Sequence, residues 1–338
     1  MKSFVIFIRL SKSLGVLALA LTMSSCESKN KDQEISGASD QLLDFPAFIT
    51  PVEKYFDTRI ADVPTVSSDI YQLKISGMVN NPAAISIEEL RNLEMVERTL
   101  TIECIGNSAN GDLLGTATWK GFKVYDLLES LGIQNGASTV KYICADGYYT
   151  FNSLEELQNA GILGALYMNE DPIPPLYGFP LRVIFPGYFG VRQPGWIVEM
   201  ELVDYDVQDY WSRSGWHTDS AMAIDSKIFF PPTNTTFSLG ENVKIGGTAF
   251  GSRRISSVEI TIDEGKTWMT ATKLQSMDQD YVWVFWEVNF TPVTTGNITP
   301  RSRATAQDGS IQPESDNEYL DGTNSWPAIT ISIVEGSQ

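Results

Sequence analysis

The sequence predicts a mixed α+β domain followed by an all-β domain. Up to about residue 222, alternating apolar and polar runs, typical of strands, are interspersed with short segments that carry helix-start signals. Beyond this point helical periodicity disappears, and short alternating runs are separated by Gly, Asp, Asn and Pro. Short strands over roughly 100 residues favour a β-sandwich of immunoglobulin type. We therefore predict domains at residues 48–222 and 223–338.

The first 25 residues have the layout of a lipoprotein signal peptide. Three basic residues precede the apolar stretch 14–23, which is too short to span a bilayer. Small residues then lead to Cys26, a candidate for lipidation that would become the first residue of the mature chain. Residues 26–47 follow as a polar tether. We expect an exported lipoprotein, anchored to a membrane and facing the periplasm or the cell surface.

Strand and helix signals alternate through the first predicted domain. Tyr71, Leu73 and Ile75 lie on one face of a strand. Ser86 followed by Glu89, and Ser153 followed by Glu156, have the spacing of a capping box at a helix start. The other predicted elements are a helix at 124–131 and strands at 140–145, 181–185 and 197–203. In the second domain, the alternating runs at 258–262 and 281–288 predict strands.

Composition and charge exclude a nucleic-acid partner. The chain of 338 residues is 43% hydrophobic and contains eight tryptophans, enough for two packed domains. Its formal charge of −18 leaves no basic stripe to neutralise phosphates, whereas an acidic surface suits a basic protein partner.

Cys104 is the residue most able to carry chemistry. Leu100, Ile102 and Cys104 share one face of a predicted strand, so the sulfur points inward. A thiolate is a soft, strongly donating ligand for a metal, and the following Gly106-Asn107 turn would let backbone amides approach a cofactor. Two alternatives remain open: Cys104 is a small core residue, or it forms a disulfide with Cys144, which lies in another strand-like run.

Several short motifs, in order along the chain, resemble those of the sulfite oxidase family. The resemblance covers residues from about 48 to the end. Its motifs are Thr-Ile-Glu-Cys-Ile-Gly-Asn at 101–107, Trp-Lys-Gly at 119–121, Tyr-Met-Asn-Glu-Asp-Pro-Ile-Pro at 167–174, Tyr-Gly-Phe-Pro-Leu-Arg at 177–182, Pro-Gly at 186–187, Gly-Val-Arg at 190–192, Asp-Glu-Gly-Lys-Thr-Trp at 263–268, Arg-Ala-Thr-Ala-Gln-Asp-Gly at 303–309 and Gln-Pro at 312–313.

The resemblance implies a molybdenum-molybdopterin cofactor and a C-terminal dimerisation domain. Cys104 would ligate the metal, and the planar fork of Arg182 would pair with the cofactor's phosphate. Further cofactor contacts are expected from Arg59, Asn107, Tyr148, Tyr177, Gly190, Val191 and Arg192. Besides Cys104, the expected catalytic residues on the substrate side are Arg213, Trp216 and His217, the last being the only histidine.

The chain departs from the family pattern at three positions. Tyr177 stands where the family often has histidine or asparagine, although a phenol can still donate a hydrogen bond. Ala109 lies five residues after Cys104, where sulfite oxidases have an arginine that holds the anion. Trp216 aligns with their active-site tyrosine and cannot act as an acid. We therefore expect a small-molecule substrate other than sulfite.

The implied partners follow from what the chain lacks. Because no Cys-x-x-Cys-His motif for haem attachment occurs, electrons would pass to a separate carrier, such as a cytochrome or a quinone-linked protein. The signal segment contains a single arginine, Arg9, whereas cofactor-loaded enzymes of this family commonly use a signal with two adjacent arginines. This leaves open an alternative function: a cofactor-free, lipid-anchored binding or scaffold protein on the same fold.

Overall fold

Strands dominate the chain. The structure is a computed structural model, and it describes residues 45–318 and 320–336. These contain twenty strands and three α-helices of five to seven residues. The helical content is therefore lower than a mixed α+β prediction suggests. The predicted signal peptide, Cys26 and most of the predicted tether lie outside the described residues. No helix in the described ranges is long and apolar enough to cross a membrane.

The elements before residue 222 form two sheets and three helices. In chain order they are β1 (Gln72–Gly77), β2 (Ala83–Ser86), α1 (Ile87–Arg91), β3 (Met95–Glu103), β4 (Leu114–Lys123), α2 (Val124–Ser130), β5 (Thr139–Cys144), β6 (Tyr149–Ser153), α3 (Leu154–Ala160), β7 (Leu163–Met168), β8 (Asp171–Pro172), β9 (Arg182–Ile184) and β10 (Ile197–Val203).

One sheet has the strand order β2-β1-β10-β5-β6, and β1 and β10 run parallel while the other pairs are antiparallel. The second sheet has the order β3-β4-β7-β8, with β9 also pairing with β7. A hydrophobic core around Leu73, Leu128 and Met200 covers the first sheet. A second core around Trp119 lies against the second sheet. The core buries alternate residues of β1, as the alternation in the sequence predicts, whereas most residues of β4 and β7 are buried on both faces.

Both predicted capping boxes are confirmed. In α1, the Ser86 hydroxyl accepts from Glu89 N at 3.3 Å, and Ser86 N donates to the Glu89 carboxylate at 2.8 Å. In α3, the same pair of hydrogen bonds joins Ser153 and Glu156 at 3.0 and 2.9 Å. These contacts satisfy backbone N–H groups that the first helical turn leaves unpaired.

Strands alone make up the regular structure of the described residues after position 222. In chain order they are β11 (Asp225–Phe230), β12 (Thr235–Ser238), β13 (Val243–Phe250), β14 (Ile255–Thr261), β15 (Met269–Thr270), β16 (Thr272–Gln275), β17 (Val284–Phe290), β18 (Gly296–Ile298), β19 (Arg301–Ala306) and β20 (Ile331–Val334). They form three sheets, β11-β13-β17-β16, β12-β20-β18 and β15-β14-β19, around a core that includes Trp286 and Val243.

The two parts of the described chain pack closely, and β3 lies between them. Thr101 N donates to Tyr281 O at 2.8 Å, and Trp283 N donates to the Thr101 hydroxyl at 2.8 Å. Thr101 and Glu103, on the polar face of β3, are each only 2% exposed. Both faces of this strand are therefore buried near its end, although its alternating sequence predicts a single buried face.

Candidate cofactor site

Cys104 is the first residue after β3, and it lines a cavity of about 240 Å³. Leu100 and Ile102, on the same strand face, are buried at 3% and 1% exposure, so the cysteine continues the inward-facing side. Cys104 itself is partly exposed. Both Cys104 and the buried Cys144 are free thiols, so the structure contains no disulfide between them. The sulfur of Cys104 is thus available as a ligand.

The loop of residues 104–113 closes tightly behind the cysteine. Cys104 N donates to Leu113 O and Asn107 N donates to Cys104 O, each at 2.9 Å. The buried Asn107 side chain donates to the Glu103 carboxylate at 2.9 Å and accepts from Leu113 N at 3.2 Å. Asn107 therefore shapes the loop from inside and does not line the cavity.

Burial raises the pKa of the Cys104 thiol. Hydrogen bonds from the Gly106 amide and from the Thr58 hydroxyl oppose that rise, because they stabilise the thiolate, while the nearby Glu103 adds to it. A cation bound to the sulfur would displace the thiol proton. Thr58 lines the cavity as well. Sequence reasoning missed this residue, which lies 46 positions before the cysteine in an irregular segment.

Six segments of the chain build the cavity wall, and most of its exposed area is apolar. The lining residues are Phe56, Asp57, Thr58, Arg59, Ile60, Cys104, Ile105, Gly106, Asp146, Tyr148, Leu176, Tyr177, Arg182, Gly190, Val191, Gln193, Pro194, Gly195, Trp196, Trp211 and Trp216. Eight of the residues expected from the sequence are among them: Arg59, Cys104, Tyr148, Tyr177, Arg182, Gly190, Val191 and Trp216.

Arg182 supplies a fixed cation to the cavity. Its Nε donates to Gln193 O at 3.1 Å and its Nη1 to Tyr177 O at 3.2 Å, while the guanidinium lies 5.3 Å from the centre of the Trp119 ring. Burial lowers the pKa of Arg182, but a guanidinium remains charged at neutral pH. Among the described residues nothing accepts a hydrogen bond from Nη2, so this arm is available to an anion.

The two cavity tyrosines direct their hydroxyl groups to backbone carbonyls. Tyr177 Oη lies 2.8 Å from the carbonyl oxygens of both Val52 and Tyr55, and Tyr148 Oη donates to Val191 O at 2.6 Å. A phenol carries one proton, so neither hydroxyl retains a free donor. The hydrogen bond that we expected Tyr177 to donate to a cofactor is used inside the protein.

Close backbone packing shapes the cavity wall at Gly195 and Trp196. A Cβ atom on Gly195 would lie 2.6 Å from Gly178 Cα, and one on Gly178 would lie 2.7 Å from Gly195 Cα. Gly178 also has φ of +111°, a region that favours glycine. The adjacent Trp196 donates from its indole nitrogen to Pro175 O at 2.7 Å. These contacts hold the wall where Arg182 reaches the cavity.

Four expected site residues lie away from the cavity wall. Asn107 is inside the Cys104 loop, as described above. Arg192 is 1% exposed, forms an ion pair with Glu156 at 3.1 Å and lies over the ring of Phe151. Arg213 borders a separate surface hollow, where it lies over the Tyr149 ring. His217 is exposed, and its backbone N donates to Leu320 O. The neighbouring Trp216 reaches the cavity, whereas its sequence neighbours do not.

The charges around the cavity are balanced. Arg59 and Arg182 are its basic lining residues, and Asp57 and Asp146 are its acidic ones. Arg59 Nη2 lies 3.0 Å from the Asp57 carboxylate, which partly neutralises it. Among residues 45–318 and 320–336, no group of three or more histidine, cysteine, aspartate or glutamate side chains could hold a metal ion by itself. A metal at Cys104 would therefore need ligands from a cofactor.

Comparisons with known proteins identify the two parts of the chain. Residues 60–211 match the family described as the oxidoreductase molybdopterin binding domain, and residues 217–333 match the molybdenum-cofactor oxidoreductase dimerisation domain. The sulfite oxidase of Arabidopsis thaliana is 24% identical over 328 residues, which cover 79% of this chain and 83% of that protein. The chain belongs to the sulfite oxidase family.

Two further comparisons show how far the likeness to the sulfite oxidase family extends. The mitochondrial sulfite oxidase of Homo sapiens is 28% identical over 298 residues, which cover 74% of this chain and 54% of the human protein. This chain thus spans about half the length of that relative. The solved structure of the sulfane dehydrogenase SoxCD from Paracoccus pantotrophus superposes with a TM-score of 0.74 at 18% identity, covering 85% of this chain and 82% of that one. It has the same fold.

The residues present fit the cofactor of the sulfite oxidase family, which is molybdenum bound to molybdopterin. The cavity offers one soft sulfur donor, suited to a metal whose other ligands come from the pterin. It also offers a guanidinium with an unpaired arm, suited to a phosphate.

Proposed function

We propose that this chain is a molybdopterin-dependent oxidoreductase in which Cys104 ligates the metal. The observation that carries the proposal is the convergence of a free, inward-facing thiol and the Arg182 guanidinium on one cavity. When bound, the cofactor supplies oxygen-atom or two-electron transfer chemistry. Cys104 holds it through sulfur, and Arg182 holds its phosphate. Thr58 and the Gly106 amide stabilise the thiolate form of Cys104.

We infer that the substrate is not sulfite. Ala109 provides no cation five residues after Cys104, Arg59 is paired with Asp57, and Arg182 is assigned to the cofactor. A small anion would therefore find no unpaired cation among the described lining residues. Phe56, Trp211 and Trp216 form aromatic walls, which favour a substrate with an apolar body.

We infer two kinds of protein partner. The part after residue 222 consists of short, mostly antiparallel strands, which supports an immunoglobulin-type sandwich, and its family description favours a homodimer. Because the sequence has no haem-attachment motif, a separate electron carrier, such as a cytochrome or a quinone-linked protein, would exchange electrons with the site. The chain's formal charge of −18 suits a basic carrier.

We propose a location as well. The signal-like segment before Cys26 supports export and lipidation, which would anchor the protein to a membrane on its periplasmic or outer side. Mass spectrometry of the mature N-terminus tests this proposal: a lipid-modified Cys26 supports it, and an unmodified N-terminus at another residue contradicts it.

Metal content tests the proposed function. Protein from a host that makes the cofactor is analysed for molybdenum per chain, alongside the variants Cys104→Ser and Cys144→Ser. The Cys144 thiol is buried at 4% exposure away from the cavity lining, so it is the matched control. We expect near-stoichiometric molybdenum in the wild type and in Cys144→Ser, and loss in Cys104→Ser. A metal-free wild type would instead favour the cofactor-free binding or scaffold function.

Sulfite turnover tests the substrate. The molybdenum-loaded wild type is mixed with sulfite and an artificial electron acceptor, and acceptor reduction is followed. We expect turnover far below that of a sulfite oxidase measured in parallel. Rapid sulfite oxidation would contradict the inferred substrate class while leaving the metal assignment intact.

A further inference from the structure

A buried ammonium from the C-terminal half of the chain reaches the loop that carries Cys104. Lys227, on β11, is fully buried. Its Nζ lies 2.9 Å from the Glu103 carboxylate and 2.7 Å from that of Asp225. It also donates to the backbone carbonyls of Ser108 and Ala109 at 3.0 and 3.3 Å. One side chain thus holds the residue before Cys104 and the middle of the loop after it.

Other contacts extend the same attachment. The Asn110 side chain donates to Ile228 O at 3.2 Å and accepts from Ile228 N at 2.8 Å, pairing with the backbone of β11 as a neighbouring strand would. Asn107 donates to the Glu103 carboxylate from within the loop. Asp225 is fixed in turn by Gln312, which donates to it at 2.8 Å. The loop of residues 104–113 is therefore held against β11 at Ser108, Ala109 and Asn110.

Stability alone does not explain this cluster. Burying charged side chains is costly, and apolar residues of similar volume are often as stabilising as a buried ion pair. An ammonium differs in that it draws several oxygen atoms to one point, each within hydrogen-bonding distance. Here those oxygens belong to Glu103, which directly precedes Cys104, and to Ser108 and Ala109 in the loop that follows it. The contacts of Lys227 therefore fix the position of the loop relative to β11.

We propose that Lys227 is a positioning residue that holds the loop of residues 104–113, so that Cys104 presents its sulfur to the cavity in one orientation. The proposal rests on the proposed function, in which Cys104 ligates the metal. The C-terminal half thereby contributes to the cofactor site without lining the cavity. Lys227 touches neither substrate nor cofactor in this arrangement, and it acts only through the backbone of the loop and through Glu103.

The reactivity of Cys104 in the metal-free protein tests the proposal directly. The wild type, Lys227→Met and Asn110→Ala are treated with iodoacetamide, and mass spectrometry measures alkylation of Cys104, with the buried Cys144 as an internal reference. We expect Cys104 to react about tenfold faster or more in Lys227→Met, because a loosened loop opens more often. Asn110→Ala should shift the rate in the same direction by less. Metal affinity should fall about 10- to 100-fold in Lys227→Met.

Two controls make the outcome decisive. Arg303→Met removes another cation from the C-terminal half, one that pairs with Glu259 and lies over Trp268, with no hydrogen bond or ion pair to the loop among the described residues. It should leave Cys104 alkylation unchanged. Asn110 is exposed, so we expect Asn110→Ala to fold. If Lys227→Met does not fold, the alkylation rate of Cys104 in Asn110→Ala tests the proposal. Wild-type alkylation rates in both loop-contact variants overturn the proposal. A metal-free wild type would contradict the proposed function, and the alkylation rates would still test the role of Lys227.

Discussion

The Glu156 carboxylate joins the cap of helix α3 to the buried guanidinium of Arg192. Its Oε2 accepts from Ser153 N at 2.9 Å and from Arg192 Nη2 at 3.1 Å. The Arg192 guanidinium lies over the Phe151 ring, with its carbon 4.7 Å from the ring centre. One carboxylate therefore fixes both a helix start and the short 3₁₀ turn Gly190–Arg192, whose first two residues line the cavity.

Replacing Glu156 by glutamine isolates this ion pair, because glutamine also serves in a capping box. We expect Glu156→Gln to lower the free energy of unfolding by about 1.5–3 kcal/mol, the range for hydrogen bonds to charged groups. Urea denaturation measures this change. Glu89→Gln alters the matching cap of α1, which has no buried arginine, and should change stability by less than about 0.5 kcal/mol. Equal losses in the two variants would show that the ion pair contributes nothing.

Arg182→Lys should reduce cofactor binding while keeping the charge. Lysine keeps the charge but carries its three donors on one nitrogen, so it cannot reproduce the spread of the guanidinium fork, whose Nε and Nη1 bond Gln193 O and Tyr177 O while Nη2 is available to a phosphate. We expect cofactor affinity to fall about 10- to 100-fold, measured as molybdenum retained per chain after dialysis. Arg303→Lys, a substitution outside the cavity lining, should retain wild-type metal. Full metal retention in Arg182→Lys would contradict the assignment of Arg182 to the cofactor's phosphate.

A pair of glycine substitutions tests the packing of the cavity wall. A Cβ at Gly195 would lie 2.6 Å from a backbone atom of Gly178, so Gly195→Ala must displace the wall. We expect a loss of about 1–3 kcal/mol in the free energy of unfolding, typical of overpacking. At Gly106 the nearest atom to a new Cβ belongs to Trp216 and lies at 3.5 Å, an ordinary contact. Gly106→Ala should therefore change stability by less than about 0.5 kcal/mol, as denaturation can verify.

Local signals in the sequence predict much of the fold. The spacing of Ser153 and Glu156 predicts the start of α3, and the alternation at residues 197–203 predicts the full length of β10. Such features depend on neighbours within a few positions along the chain. The inward direction of the Cys104 side chain is also a local feature, because it follows from the alternation of side chains along β3, the strand that precedes it.

Contacts between distant segments explain what the sequence did not reveal. Glu103 and Lys227 are 124 positions apart, and each alone resembles a solvated surface charge, yet they pair in the interior. Arg192 belongs to a motif that resembles a cofactor-binding segment, but α3 and β6 supply its partners Glu156 and Phe151. Sequence proximity to Trp216 was likewise a poor guide for Arg213 and His217: Arg213 lies in the 3₁₀ turn Ser212–Ser214 and borders another hollow, and His217 is exposed.

The Asp263 turn gives the protein an acid-sensitive contribution to stability. The Asp263 carboxylate accepts from the amide and hydroxyl of Thr267 and from the hydroxyl of Thr261, at 2.7–2.8 Å. These hydrogen bonds lower its pKa from 3.8 to about 2. Because the folded pKa lies below the unfolded one, the stabilisation is complete above about pH 4 and is lost as the pH falls toward 2. We expect the melting temperature of Asp263→Asn to lie below that of the wild type at pH 5 and to converge with it near pH 2. A difference in melting temperature that stays constant across this pH series would show that the carboxylate does not titrate as its hydrogen bonds require.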